Sequence, residues 1–239
     1  MGERERTYWW FVAKRRIVRA LIDRHLTRPA DAARPKLIDL GCGTGALLRE
    51  CAHAFDVAGM DTHEAAIEAC ARDGLDVRFG TLPDAVPFEP GSADVVVLSD
   101  VLEHVEEDHA SAGAAAALLR PGGLLVCTVP AHPWMWTARD ELHHHKRRYT
   151  RPAYERVFEH AGLEPVLVSW YNTTLFPLMG AFRLAKRVLP AGRAGPDVTP
   201  LPGPVNALLR TLFAIESSRL VRGPLPFGAS LISVHRCCG

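Results

Sequence analysis

The sequence predicts an α/β protein: a doubly wound, mostly parallel sheet with helices on both faces. Three observations carry that prediction. Strand-like and helix-like patterns alternate through residues 36–129, which is the order that builds a parallel sheet. A glycine-rich turn stands between the first strand and the helix after it. An unbroken valine-rich run at 94–98 suits a strand covered on both faces.

The elements follow in chain order. Trp10, Ala13, Ile17 and Leu21 recur at three- and four-residue steps while Lys14, Arg15, Arg16, Arg19 and Arg24 fall mostly elsewhere, so residues 1–28 are expected to hold an amphipathic helix, ended by Pro29. Residues 28–35, rich in Ala and Pro, read as a connector. A strand at 36–40, a helix over 46–53 and a strand at 57–60 then form a β-α-β unit. Helix 64–71, strand 76–79, strand 94–98 and the alanine-rich helix 111–119 follow, and Pro121-Gly122-Gly123 turns the chain into a fifth strand at 124–129. Thr150 is placed to cap a helix that carries Pro152 in its first turn and stops at Gly162. Strands are expected at 166–170 and 231–235. Between them lie helical patterns near 178–188 and 205–221, too much chain for an ordinary loop, so 171–228 reads as an insertion in a domain spanning 35–239.

Composition narrows the function. Of the 239 residues 48% are hydrophobic and 23% charged, which suits a globular chain with a full core. Lys and Arg number 28 against 27 Asp and Glu, so no overall field points to nucleic acid, and no nucleic-acid partner is expected. The six cysteines show neither CxxC pairs nor metal-ligand spacing with histidine, and no cleavable apolar leader is read, so the expected setting is cytoplasmic. The longest weakly polar stretch, 175–182, contains Pro177 and Gly180 and falls far short of the roughly 20 residues that span a bilayer. A monomer or homodimer is expected.

The turn after the first strand, Asp39-Leu40-Gly41-Cys42-Gly43-Thr44-Gly45, lets backbone approach a ligand without interference from Cβ atoms. Gly41, Gly43 and Ala46 also fit a dinucleotide fingerprint, with Asp61 at the spacing of a ribose-binding acid, so two cofactors compete. Asp39 separates them, because a carboxylate there repels a pyrophosphate and attracts an ammonium. Asp61 can accept from ribose hydroxyls in either case.

Residues 37–45 resemble the first motif of class I S-adenosylmethionine-dependent methyltransferases. Gly59-Met60-Asp61 is similar to their acidic second-strand end, the segment 94–105 with its Leu102-Glu103-His104-Val105 to their fourth-strand segment, and residues 119–125 to their Leu-x-Pro-Gly-Gly turn. The resemblance covers roughly residues 35–170. It implies a Rossmann-like seven-stranded sheet with an antiparallel last strand, S-adenosyl-L-methionine as donor, and transfer of a methyl group to an O or N atom of a small-molecule acceptor. It implies cofactor contacts at Asp39, Gly41, Cys42, Gly43, Gly45, Asp61, Thr62, Thr81, Leu82, Ser99, Asp100, Val101 and His104. In one bacterial branch a lid helix precedes the first strand, which would add Tyr8, Trp10 and Arg15, and a His-x-Arg-Arg-Tyr motif aligns with His145, Arg147, Arg148 and Tyr149. A nicotinamide-dependent oxidoreductase and a non-catalytic cofactor-binding adaptor are the rival readings.

Methyl transfer from a sulfonium is an in-line displacement, so the protein aligns donor carbon with acceptor atom and excludes water; an O or N acceptor also needs a base. His104, His132 and His145 are the candidates, since imidazole titrates near neutrality. No metal is expected, because consecutive His143, His144 and His145 point in different directions and no second cluster completes a shell. Trp134, Trp136, His144, Arg147, Arg148 and Tyr149 are expected at the acceptor, where arginine forks suit a carboxylate or phosphate group; the competing reading of the arginines is a brace between loops. Phe182, Arg183, Lys186 and Arg187 belong to a segment expected to cap the substrate or rest on a membrane surface.

Overall fold

The computed structural model describes residues 8–27, 33–181 and 203–238. Seven strands form one sheet: β1 (Lys36–Leu40), β2 (Asp56–Asp61), β3 (Asp76–Phe79), β4 (Ala93–Ser99), β5 (Leu119–Pro130), β6 (Leu163–Tyr171) and β7 (Ser230–Cys237). Their order is β3-β2-β1-β4-β5-β7-β6, so the direction of travel reverses between β1 and β4. The neighbours β1/β2, β1/β4, β2/β3 and β4/β5 are parallel, while β7 runs antiparallel to both β5 and β6. This is the expected doubly wound sheet with its reversed last strand.

The helices are α1 (Trp9–His25), α2 (Ala46–Cys51), α3 (Glu64–Arg72), α4 (Asp108–Ala117), α5 (Ala138–Leu142), α6 (Arg151–Arg156) and α7 (Gly203–Leu220). Alternate residues of the central strands feed two cores. On one face Ile38, Leu40, Val96, Leu98, Leu125 and Cys127 meet α4 together with Tyr149, Tyr154 and Phe158. On the other Leu37, Val95, Val97, Leu124 and Val126 meet α1, α2 and α7 through Ile17, Leu21, Leu48, Phe213 and Leu220. The N-terminal helix is therefore one of the packed layers, with Leu21 and Ile22 fully buried.

Local departures from the sequence reading have plain causes. The Pro-Gly-Gly turn at 121–123 lies inside β5, where pairing jumps from Ala93↔Leu119 to Val95↔Leu124, so it is an irregularity in one strand and not a separate connection. A one-turn 3₁₀ helix (Pro133–Met135) and α5 appear between the fifth strand and the Thr150-capped helix, where the sequence reading places no element; α5 exists because Thr137 and Asp140 form a reciprocal capping box. The helix expected over 178–188 is described at residues 176–181. Phe182, Arg183, Lys186 and Arg187 lie outside the described residues. No helix among the described residues is long and apolar enough to cross a membrane.

Candidate functional site

The first strand delivers the glycine loop to the C-terminal edge of the sheet, at the switch between β1 and β4 where open α/β sheets bind ligands. Gly41 and Cys42 both donate to the carbonyl of Met60 at 2.7 and 3.0 Å, folding the loop back on β2. Gly41 has φ +80°, and a Cβ there would stand 2.6 Å from Cγ2 of Val101, so the β4 exit and the glycine loop touch only because no side chain intervenes. Gly45, at φ +74°, starts α2 under Leu75 and Cys70. The Cys42 thiol turns inward against Gly59, so toward any ligand the residue offers backbone.

Two carboxylates flank this loop. Asp61, at the end of β2, accepts from Gly43 N at 2.8 Å through Oδ2 and from His63 N at 2.9 Å through Oδ1. Oδ2 retains a lone pair for a further donor such as a ribose hydroxyl, while Oδ1 also lies 3.1 Å from His63 Nδ1. Asp39 is 3% exposed, and its Oδ1 has no hydrogen-bond partner. Burial pushes its carboxyl up to about 7, against the pull of Lys14 and with the repulsion of Asp61 added. A buried acceptor oxygen without a donor, next to a loop open to backbone approach, fits an incoming ammonium group such as that of adenosylmethionine.

Downstream of β4, Asp100 adopts φ +56° and is held from three directions: its N–H donates to the Thr128 carbonyl, and its carboxylate accepts from Thr128 Oγ1 at 2.8 Å and Lys14 Nζ at 2.8 Å. Burial alone would raise its pKa, but Lys14 and Thr128 hold it below the ordinary carboxylate range. Ser99 lies 3.4 Å from Thr128 through their hydroxyls. His132 after β5 and Asn172 after β6 also have positive φ, 62° and 59°. Non-glycine residues in this region store of order 1–3 kcal/mol each, and all three follow strands that end at the same edge.

Next to Asp100, Glu103 is 1% exposed with Oε2 unpartnered. The His104 and His145 rings meet edge-on with centroids 4.7 Å apart, and Glu103, His104 and His145 each offer a ligand atom within 4.8 Å of the others. Burial and the neighbouring His145 lower the pKa of His104, so its ring is neutral near pH 7. His145 is oriented by Asp140 Oδ1 at 3.0 Å from its Nδ1. His143 keeps a tilted ring contact with His145, centroids 6.1 Å apart, while His144 is exposed.

The other predicted residues are placed as follows. Arg15 reaches Glu50 on α2 at 2.8 Å, and the cation that enters the site is its neighbour Lys14. Trp10 stacks on Tyr171 at 5.9 Å and meets Phe213 edge-on, while Tyr8 contacts Trp9 and Phe11. Thr62 bonds His63, and Thr81 forms a tight loop with Ala85 that leaves Leu82 against the core. Arg147 bonds the carbonyls of Val105 and Glu106 and pairs with Asp108 at 2.9 Å; Arg148 pairs with Asp140 at 2.6 Å and reaches the Ala131 carbonyl. Tyr149 is buried, donating to Leu102 O and Asp108 Oδ2. This is the bracing geometry. His132 lies between Trp170 and Phe176, 4.8 and 4.9 Å away and nearly parallel to both, with Trp134 beside it and Nε2 2.9 Å from the Gly228 carbonyl. Trp136 is exposed and reaches Glu141.

Sequence reasoning missed Lys14, Asp140, Glu103 and Glu216. Lys14 had a signal, standing four residues from Trp10 and three from Ile17 on the apolar face. Glu216 of α7, 4% exposed, accepts from the backbone N–H groups of Asn172, Thr173 and Thr174 and locks the base of the insertion; nothing local marks it.

A sheet of this order with an acid-flanked glycine loop at its switch defines the class of S-adenosylmethionine-dependent methyltransferases. A family model described as "Methyltransferase domain" matches residues 11–168, and the chain belongs to that family. The competing dinucleotide reading of the loop falls with that membership. A ubiquinone biosynthesis O-methyltransferase of Bordetella avium is 35% identical over 95 residues, 37% of this chain and 39% of its own length. One from Cupriavidus pinatubonensis is 27% identical over 177 residues, 66% of this chain and 70% of its own. The chain thus spans about two fifths of the length of the first curated relatives it matches. Among solved structures, a putative sarcosine dimethylglycine methyltransferase from Galdieria sulphuraria has TM-score 0.61 at 16% identity, covering 95% of this chain and 86% of that one. Geranyl diphosphate C-methyltransferase from Streptomyces coelicolor has TM-score 0.59 at 17%, covering 92% and 79%. Identities this low speak to the fold alone.

Proposed function

We propose that this protein transfers the methyl group of S-adenosyl-L-methionine to an oxygen of a small, ring-bearing acceptor. The observation that carries the donor half is the unpartnered Oδ1 of buried Asp39 beside the glycine loop: it lacks a donor, and the ammonium of the methionine moiety is one. Asp61 is the acceptor for the ribose, and Gly41 lets the loop pack directly on Val101 at the β4 exit. When bound, the cofactor supplies an electrophilic methyl carbon on sulfur. The chain's part is to fix that carbon against the acceptor and keep water out.

The acceptor half rests on two features. His132, Trp134, Trp170 and Phe176 offer aromatic faces to a planar ring. We assign handling of the acceptor's proton to the edge-on His104–His145 pair, because burial favours the neutral His104 ring that can receive it. The O-methyltransferase names of the relatives favour oxygen over nitrogen. Because Arg147 and Arg148 are engaged with Asp108 and Asp140, a carboxylate or phosphate on the acceptor is not needed to explain them.

Calorimetric titration of the full chain with S-adenosylmethionine, its demethylated product and NAD(H) tests the donor half. Binding of the first two is expected, and Asp61→Ala should weaken it by about 1–3 kcal/mol. Incubation with labelled donor and phenolic acceptors tests transfer. Donor binding with no labelled product from any acceptor would favour the adaptor reading.

A further inference from the structure

We propose that Glu103, His104 and His145 bind one divalent transition-metal ion, of the zinc class, on the acceptor side of the cleft. The sequence argues against a metal because no single segment holds a complete ligand set; the fold supplies it from two. Glu103 and His104 come from the β4 exit, while His145 arrives from the loop after α5, and their ligand atoms lie within 4.8 Å of one another. A tetrahedral shell at about 2.1 Å from the ion has edges of roughly 3.4 Å, so the ligands must close by about an ångström, which rotation of exposed His104 allows.

Three independent features point to an ion. First, Glu103 is 1% exposed and its Oε2 has no partner, a costly arrangement unless something cationic or hydrogen-bonding arrives there. Second, His145 is already oriented as metal-bound histidines are: its Nδ1 faces a buried carboxylate, Asp140, which leaves Nε2 as the outward ligand. Asp140 is fixed in turn by Arg148 and by the α5 capping box, and Lys146 N donates to the Glu103 carbonyl at 2.6 Å, tying the two segments together. Third, the nearby side-chain cations are already engaged: Lys14 pairs with Asp100 and Arg148 with Asp140, and neither pair includes Glu103.

Two imidazoles and one carboxylate suit Zn²⁺, Co²⁺ or Fe²⁺, whereas Mg²⁺ and Ca²⁺ prefer all-oxygen shells. A three-residue set leaves a coordination position open. The inference rests on the proposed function and revises one role in it: with an ion bound, the open position would take the acceptor hydroxyl, the ion would acidify it so that its proton leaves to water, and His104 would serve as a ligand in place of the base role given it above.

The test uses the full chain freed of metal by a chelator, with Co²⁺ and Zn²⁺ as probes and neither donor nor acceptor present. Wild type is expected to take one Co²⁺ per chain, with visible d–d absorption showing nitrogen ligation, and Zn²⁺ is expected to displace it. His145→Ala and Glu103→Gln should each weaken binding at least tenfold, and Asp140→Asn by about 10–100-fold through loss of orientation. His160→Ala, on an exposed turn after α6, should change nothing. If Asp140→Asn unfolds, His104→Ala carries the comparison instead, because His104 is exposed. Failure to bind Co²⁺ or Zn²⁺, or equal affinity in wild type and His104→Ala/His145→Ala, overturns the proposal. Donor titration of the same metal-free protein reads the proposed function separately: binding of S-adenosylmethionine without metal uptake would sink the ion alone.

Discussion

The two halves of the sheet build their parts of the site differently. Around β1 and β2 the half we propose for the donor is made from short stretches: a turn whose glycines have positive φ, one carboxylate near the end of each strand, and backbone bonds from Gly41 and Cys42 to Met60. Around β5, β6 and their loops the half we propose for the acceptor is made from side chains tied together by buried charges: Asp140 with His145 and Arg148, and Glu216 with residues 172–174. The first kind of site depends on backbone freedom together with two local carboxylates. The second kind has its vulnerability in buried charges.

That contrast can be broken most directly at Asp140. Its carboxylate is 1% exposed and serves His145, Arg148 and the Thr137 cap at once, and its pKa is lowered because those hydrogen bonds outweigh burial. Asp140→Ala should cost about 3–5 kcal/mol, the scale for stranding a buried partner. Urea unfolding measures it; a loss under about 1 kcal/mol would mean the acceptor half does not hang on this group.

A backbone test on the donor half comes next in size. Gly41→Val places a Cβ against Val101 at φ +80° and should cost about 1–3 kcal/mol in strain while abolishing measurable donor binding. Thermal denaturation and calorimetry read the two effects. Retained donor affinity would show that close backbone approach at Gly41 is not used.

The donor half should also respond to pH. With the Asp39 carboxyl raised to about 7, the folded chain holds a proton that the unfolded chain releases in the ordinary carboxylate range, so this group's contribution to stability falls as pH rises from that range through about 7. A cationic ligand reverses the preference, since it binds the ionised form. Affinity for S-adenosylmethionine should therefore rise about tenfold from pH 6 to 8, following the ionised fraction of a group titrating near 7. Asp39→Asn should flatten that profile; an unchanged slope in the variant would assign it elsewhere.

The smallest effect is expected at Arg147, whose side chain is 31% exposed where it pairs with Asp108. Arg147→Gln should lower stability by about 1 kcal/mol or less and leave donor affinity alone. A selective loss of acceptor affinity with stability unchanged would restore the arginine to substrate recognition.

These contrasts also explain what could be read in advance. Alternating patterns located all seven strands within a few residues, because strand and helix periodicity and glycine's conformational freedom are local properties that the chain displays in order. Asp39, Asp61 and the loop glycines were legible for the same reason, since each acts within a few residues of a strand end. The sequence also contained His145 and Arg148, but it could not say whether they face a substrate, an acid or each other. Tertiary structure decided that Arg148 pairs with Asp140, that Lys14 and not Arg15 enters the site, that Trp10 packs on Tyr171, and that Glu103 and His104 meet His145. Those outcomes depend on which buried charges find partners, and desolvation makes that choice only when separate segments are brought together out of water.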